Sequence, residues 1–104
     1  MLRGELWRYQ VPGLAGRTVA LIAAQAVLDG SGYRMFPALQ VTDTDPGHLL
    51  SVSAEIDGQT VWLDAAGGWL VARRSLLAER IGQLSDETLA TLDARIAATL
   101  GHPN

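Results

Sequence analysis

Leu49-Leu50-Ser51-Val52-Ser53-Ala54-Glu55-Ile56-Asp57-Gly58-Gln59-Thr60-Val61-Trp62-Leu63 is the stretch on which the reading of this chain turns. Leu49 to Ile56 and Gln59 to Leu63 flank Asp57-Gly58, a dipeptide suited to a two-residue hairpin because both central residues accept positive φ. The stretch therefore reads as a pair of antiparallel strands. Downstream, Asp64-Ala65-Ala66-Gly67-Gly68 has turn chemistry, and Trp69 to Arg73 reads as a further strand. Upstream, Arg34 to Thr42 carries Met35, Phe36, Leu39 and Val41 and is stopped by Asp43-Thr44-Asp45-Pro46-Gly47, which makes another strand. Thr18 to Ala26 is almost continuously apolar, as expected of a central strand buried on both faces, with helix as the alternative because alanine is frequent there. The loop Asp29-Gly30-Ser31-Gly32 follows it.

At the start, Glu5 to Val11 alternates with a period of two, placing Trp7, Tyr9 and Val11 on one face and Leu6, Arg8 and Gln10 on the other before Pro12-Gly13. At the other end, Arg74 to Ile81 reads as a short helix interrupted by Gly82. Ser85 is a good N-cap, Asp86 and Glu87 suit the positive end of a helix dipole, and Leu89, Leu92, Ile96 and Leu100 recur at helical spacing until Gly101 and Pro103. The fold class that follows is mainly β with a C-terminal helix (α+β): five or six short strands in a small curled sheet or partly open barrel.

Composition narrows the function classes. A chain of 104 residues is one domain, spanning 1–104, and 48% hydrophobic with 18% charged residues is globular rather than disordered. There is no cysteine, so no disulfide or thiolate metal site, and the cytoplasm is the expected compartment. Met1 to Glu5 lacks the apolar segment of a signal peptide, and the longest apolar run, Val19 to Leu28, contains Gln25 and is too short to cross a bilayer. No membrane role is expected. All eight basic residues are arginine, and the net charge of −3 is unlike that of most nucleic-acid binders, which carry a basic face.

The ordered set of motifs resembles the MazF/PemK-like (Kid-like) toxin family of type II toxin–antitoxin systems, over nearly the whole chain. Arg3-Gly4-Glu5-Leu6-Trp7 is similar to the family's Arg-Gly-Glu-hydrophobic-Trp opening, Arg17-Thr18-Val19-Ala20-Leu21-Ile22 to its Arg-Pro-hydrophobic strand start, and Val41-Thr42-Asp43 to its hydrophobic-Thr-Thr or hydrophobic-Thr-Ser strand end. Val61-Trp62-Leu63-Asp64 fits the strand that carries a family aspartate, and Ile81-Gly82-Gln83-Leu84-Ser85 with the final amphipathic helix completes the likeness. The resemblance implies an SH3-like, plasmid-maintenance-toxin barrel, a homodimer, a cognate antitoxin partner, and cleavage of single-stranded RNA without metal or other cofactor. The chain departs from the pattern at Thr18, where the family has proline, at Trp62, where PemK/Kid-like members have a second arginine, and at Ala65, where glutamine is common. Its first loop, Val11 to Gly16, is short and has no histidine.

Metal-independent RNA cleavage requires deprotonation of the 2′-OH, neutralisation of phosphorane charge and protonation of the leaving oxygen. Carried over from the family, Arg17, Thr42 and Asp64 are the candidate catalytic residues. Arg17 can donate two hydrogen bonds to non-bridging oxygens and stays charged, or is simply an exposed turn arginine. Thr42 can hydrogen-bond the scissile phosphate, or end its strand. Asp64 can act as general base, or initiate the turn before the glycines. Asp43 and Asp45 are read as turn residues, His48 and His102 as solvated, and Trp62 and Trp69 as packing residues of the core or a dimer. Gly30-Ser31-Gly32 and Gly67-Gly68 lack the context of a phosphate loop. The alternative function is a catalytically weakened or inactive binding module of MazF-like or CcdB-like type, acting through protein–protein contacts.

Overall fold

A computed structural model describes residues 1–30 and 32–101. Ser31 of the expected loop, and His102 and Pro103 of the expected tail, lie outside the described residues. The elements run β1 (Glu5–Tyr9), β2 (Arg17–Leu21), α1 (Gln25–Asp29), β3 (Met35–Thr42), β4 (Ser51–Ile56), β5 (Gln59–Asp64), β6 (Trp69–Arg73), a 3-10 turn (Arg74–Leu76), β7 (Leu77–Gln83) and α2 (Asp86–Thr99). The strands form one seven-stranded sheet in the order β4-β5-β3-β2-β1-β7, with β6 pairing β3, and every pairing is antiparallel.

The β4–β5 hairpin closes through Ile56 opposite Gln59, with Asp57 at φ 52° and Gly58 at φ 79°, the pair of positive values that lets a two-residue turn follow the twist of its strands. β3 is shared lengthwise by two partners. Its first five residues pair with β6, Met35 opposite Arg73 through Leu39 opposite Trp69, while Val41 and Thr42 pair with Leu63 and Trp62 of β5. The Asp64–Gly68 turn bulges out between the two, and the Gln40 amide donates to the Gly68 carbonyl across the break (2.7 Å).

Two apolar clusters lie on opposite faces of this sheet, and β2 feeds both by strict alternation. Ala20 and Ile22 join Leu6, Leu39, Val52, Ala54, Leu63 and Leu92 in the first, and Val19, Leu21 and Ala23 join Tyr9, Leu28, Phe36 and Ala38 in the second. That two-sided burial is why the run from Thr18 is continuously apolar. It is a strand only to Leu21, however. The chain then turns, and Gln25–Asp29 is helical, so that Leu28 caps the second cluster. α1 has no side-chain N-cap. Its C-terminal carbonyls are instead held by the Arg74 guanidinium, which donates to Leu28 O (2.9 Å) and Val27 O (3.1 Å) and stands 5.2 Å over the Phe36 ring.

The expected helix from Arg74 to Ile81 is a single 3-10 turn followed by strand β7, which pairs with β1. The register of that pair shifts twice, leaving Ala78 and Ile81 of β7 without a direct partner, and these bulges break the period of two by which a strand is recognised. The C-terminal helix forms as its cap predicts: Ser85 Oγ accepts from the Thr88 amide (3.1 Å), and Leu92 is fully buried between Leu89 and Ile96, which pack on the first cluster. Leu100, expected on the same stripe, lies beyond the last helical residue and is exposed. No described helix is long and apolar enough to cross a membrane.

Candidate active site

The antiparallel register of β2 and β3 sets Thr18 opposite Val41, so Arg17, the first residue of β2, and Thr42, the last of β3, meet at one end of the sheet. They share a cleft of about 580 Å³, within the ~300–1,000 Å³ typical of ligand pockets. Leu6 and Arg8 of β1, Thr18 of β2, Asp43, Asp57, Gln59 and Val61 of β5, and Ile81 of β7 line it as well. Thr42 Oγ1 donates to the Thr44 carbonyl (3.0 Å), which fixes the hydroxyl near the mouth and leaves its oxygen able to accept. Among the described residues the Arg17 side chain makes neither a hydrogen bond nor an ion pair.

Asp64 is not in this cleft. It lies an odd number of residues from Val61, so its side chain leaves β5 on the other face. There its Oδ1 accepts from the amides of Ala66 and Gly67, each at 2.9 Å, and lies 3.0 Å from His48 Nε2. Burial pushes the Asp64 carboxyl up, but the Gly67 amide, the His48 imidazole and the Ala66 amide outweigh it and hold the pKa below the usual aspartate value. A carboxylate so engaged is a weak base and a good turn clamp. His48, expected to be solvated, is held on both nitrogens, since its Nδ1 also accepts from the Leu50 amide (3.2 Å). The expected Asp43–Gly47 turn is capped by Asp45 Oδ1, which accepts from the Gly47 amide (2.7 Å).

The arginines divide by what they do. Arg3 pairs with Asp93, Arg80 with Glu5 (2.6 Å), and Arg74 with the carbonyls that end α1. Glu5 is buried at 6% exposure. Desolvation pushes its pKa up, but hydrogen bonds from the Leu2 amide, Trp7 Nε1 and Arg80, with the charge of Arg80, bring it below the usual glutamate value. Among the described residues the side chains of Arg8, Arg17, Arg34, Arg73 and Arg95 have no such partner, and of these five Arg8 and Arg17 line the cleft. Arg8 and Asp57 were not singled out by motif; the alternation that puts Arg8 on the Leu6 face was the available signal. Among the described residues no group of three or more histidine, aspartate and glutamate side chains is placed to hold a metal ion.

No protein-family model matches the sequence, and no curated protein matches it. Among solved structures, an endoribonuclease in complex with its cognate antitoxin from Mycobacterial species superposes with a TM-score of 0.85 at 18% identity, over 100% of this chain and 98% of that one. A MazE-MazF structure from Deinococcus radiodurans (TM-score 0.78, 20% identity, 97% and 95% covered) is similar. So is the Mycobacterium tuberculosis toxin MazF-mt6 (0.78, 14%, 96% and 99%). Matches of this closeness along the whole chain, at identities this low, establish architecture: the curled antiparallel sheet closed by a C-terminal helix is the MazF fold.

Proposed function

We propose that this chain is the toxin of a toxin–antitoxin pair, a metal-independent endoribonuclease that cuts single-stranded RNA at the cleft between Arg17 and Thr42 and so slows growth. The observation that carries the reading is the placement of Arg17: a guanidinium with no protein partner, beside Thr42, at the mouth of a cleft in a fold whose solved examples include proteins described as endoribonucleases. In this mechanism the RNA 2′-hydroxyl gives its proton to water as its oxygen attacks the adjacent phosphorus, charge collects on the non-bridging oxygens, and the bond to the 5′-oxygen breaks, that oxygen taking a proton from water and leaving a 2′,3′-cyclic phosphate. Arg17 donates to the non-bridging oxygens as they become more negative. Thr42 holds the phosphate in line for the attack. Asp64 is assigned the turn on the far side of β5 and not the proton transfer expected from family resemblance.

Two partners complete the reading. The cognate antitoxin places an acidic or RNA-like segment in the same cleft, which is how it would block the toxin. A second copy covers the bare end of the first cluster's face. α2 packs over β4, whereas over β3 and β6 the same face leaves Met35 (55% exposed) and Val71 (65% exposed) open, with Pro37 between them. An apolar patch that continues a core suits an isologous homodimer.

The test is cleavage of a long single-stranded RNA by purified protein in the presence of chelator, with Arg17→Ala alongside. Discrete cuts made by the wild type and lost in the variant are expected. Intact RNA with the wild type overturns the nuclease reading and leaves a binding module, which the absence of a histidine among the cleft's lining residues would then explain.

A further inference from the structure

We propose that Arg8 is a second phosphate-binding residue of the cleft, holding the RNA strand alongside Arg17; this rests on the RNA-cleaving reading above. Arg8 is in the middle of β1, paired with Thr18 of β2, and Thr18 is paired with Val41 of β3, so the three form one cross-strand row on the cleft's wall. Arg8 is exposed to solvent, and although Glu79 stands opposite it on β7, among the described residues no carboxylate oxygen lies within 4.0 Å of it, which leaves its guanidinium open to an anion.

The residue before Arg17 lies beside Arg8. A Cβ at Gly16, the residue before Arg17, would stand 2.7 Å from Gln10 Oε1 and 3.7 Å from Arg8 Nη1. Gln10 crosses Gly16 because its Nε2 donates to Leu14 O (2.9 Å) and ties down the β1–β2 loop. Arg8 thus reaches the residue before Arg17, and both arginines line the cleft, Arg8 in the row with Thr18 and Val41 and Arg17 at the start of β2. Asp43 and Asp57 line it as well, so in a chain of net charge −3 the two arginines are the cations among its lining residues that can meet an anion. A polyanion such as RNA touches both arginines; a lone small anion has no need of two.

The probe is a short all-2′-O-methyl RNA oligonucleotide, which lacks the attacking hydroxyl and cannot be cut, titrated at several salt concentrations. With wild type, Arg8→Ala and Arg17→Ala, each arginine loss is expected to weaken binding about tenfold and to reduce the slope of log affinity against log salt by about 0.7, one single-stranded phosphate contact. Arg8→Lys keeps the charge, so it should keep the slope while losing several-fold in affinity, because the planar fork is gone. In cleavage assays Arg8→Ala should raise KM and leave kcat within about threefold, whereas Arg17→Ala lowers kcat. Arg95→Ala, on the outer face near Trp62, is the control for diffuse attraction. An unchanged slope in Arg8→Ala with a reduced one in Arg17→Ala overturns the Arg8 proposal and leaves the nuclease reading standing. A slope reduced equally by Arg95→Ala also overturns it. No binding by the wild type removes both.

Discussion

The Asp64–Gly68 turn and the Arg17–Thr42 cleft sit on opposite faces of β5 and handle polar groups in opposite ways. At the turn the Asp64 carboxylate is engaged by two amides and an imidazole, and that imidazole is held in turn by the Leu50 amide. In the cleft two guanidiniums are held by nothing. Both regions attract attention in the sequence as charged residues at strand ends. What separates the two regions is that protein groups already hold the turn's carboxylate, whereas the cleft's guanidiniums are exposed to solvent and open to an anion.

Substitutions can break this contrast. The largest effect is expected from Arg17→Ala: RNA cleavage should fall at least about a hundredfold, the loss of roughly 2.7 kcal/mol of transition-state stabilisation. Urea unfolding of the same variant should stay within about 0.5 kcal/mol of wild type. The turn should show the reverse. A Cβ at Gly68 would stand 2.8 Å from the Asp64 backbone carbonyl, which accepts from the Gly68 amide (2.9 Å) in a residue paired with Ser51 of β4, so Gly68→Ala should lose roughly 1–3 kcal/mol in the same unfolding experiment. Thr42→Val should cost about tenfold in cleavage, near 1.4 kcal/mol, with little change in stability because its bond to Thr44 is exposed.

Asp64→Asn sharpens the contrast by pH. Its carboxyl is held below the usual value in the folded state, so its stabilisation is fully present above the ordinary aspartate range and disappears as pH falls through the lowered value. The variant should therefore be about 1 kcal/mol less stable near neutrality, and the gap should close in acid. A gap that stays constant with pH would mean that Asp64 acts through shape and not charge. Glu5, whose pKa is lowered too, keeps some acid sensitivity in both proteins.

The hairpin at Asp57-Gly58, the strand ending at Thr42 and the capped helix from Ser85 were legible because each is specified by neighbours in sequence. The alternative role of Asp64 as a turn residue was legible for the same reason. What stayed hidden depends on partners far along the chain. β7 reads as helix because two bulges scramble its alternation, and only β1 makes it a strand. α1 reads as the end of a strand because the cation that stabilises its C-terminus is Arg74, |i−j| = 46 from Leu28. His48 is exposed, as its sequence reading has it, and its contact with Asp64 follows from the β4–β5 pairing, in which Ser51 stands opposite Asp64. In the cleft, Arg17 and Thr42 stood out through family resemblance, whereas Arg8 looks like any outward residue of an alternating strand until the absence of a partner is seen.

The pairing of β1 with β7 bears on when the protein becomes complete during its own synthesis. The Glu5–Arg80 bond joins residues 75 apart, and Ile81, which arrives with β7, is part of the cleft. Loop closure over such a distance comes late and slows folding. A ribosome-bound chain stalled before Leu77 should therefore hold the β4–β5 hairpin without a finished cleft, which protease sensitivity of Arg8 and Arg17 in the stalled chain would reveal. On the nuclease reading proposed above, the chain would then be harmless to the message being translated until its last described strand has emerged.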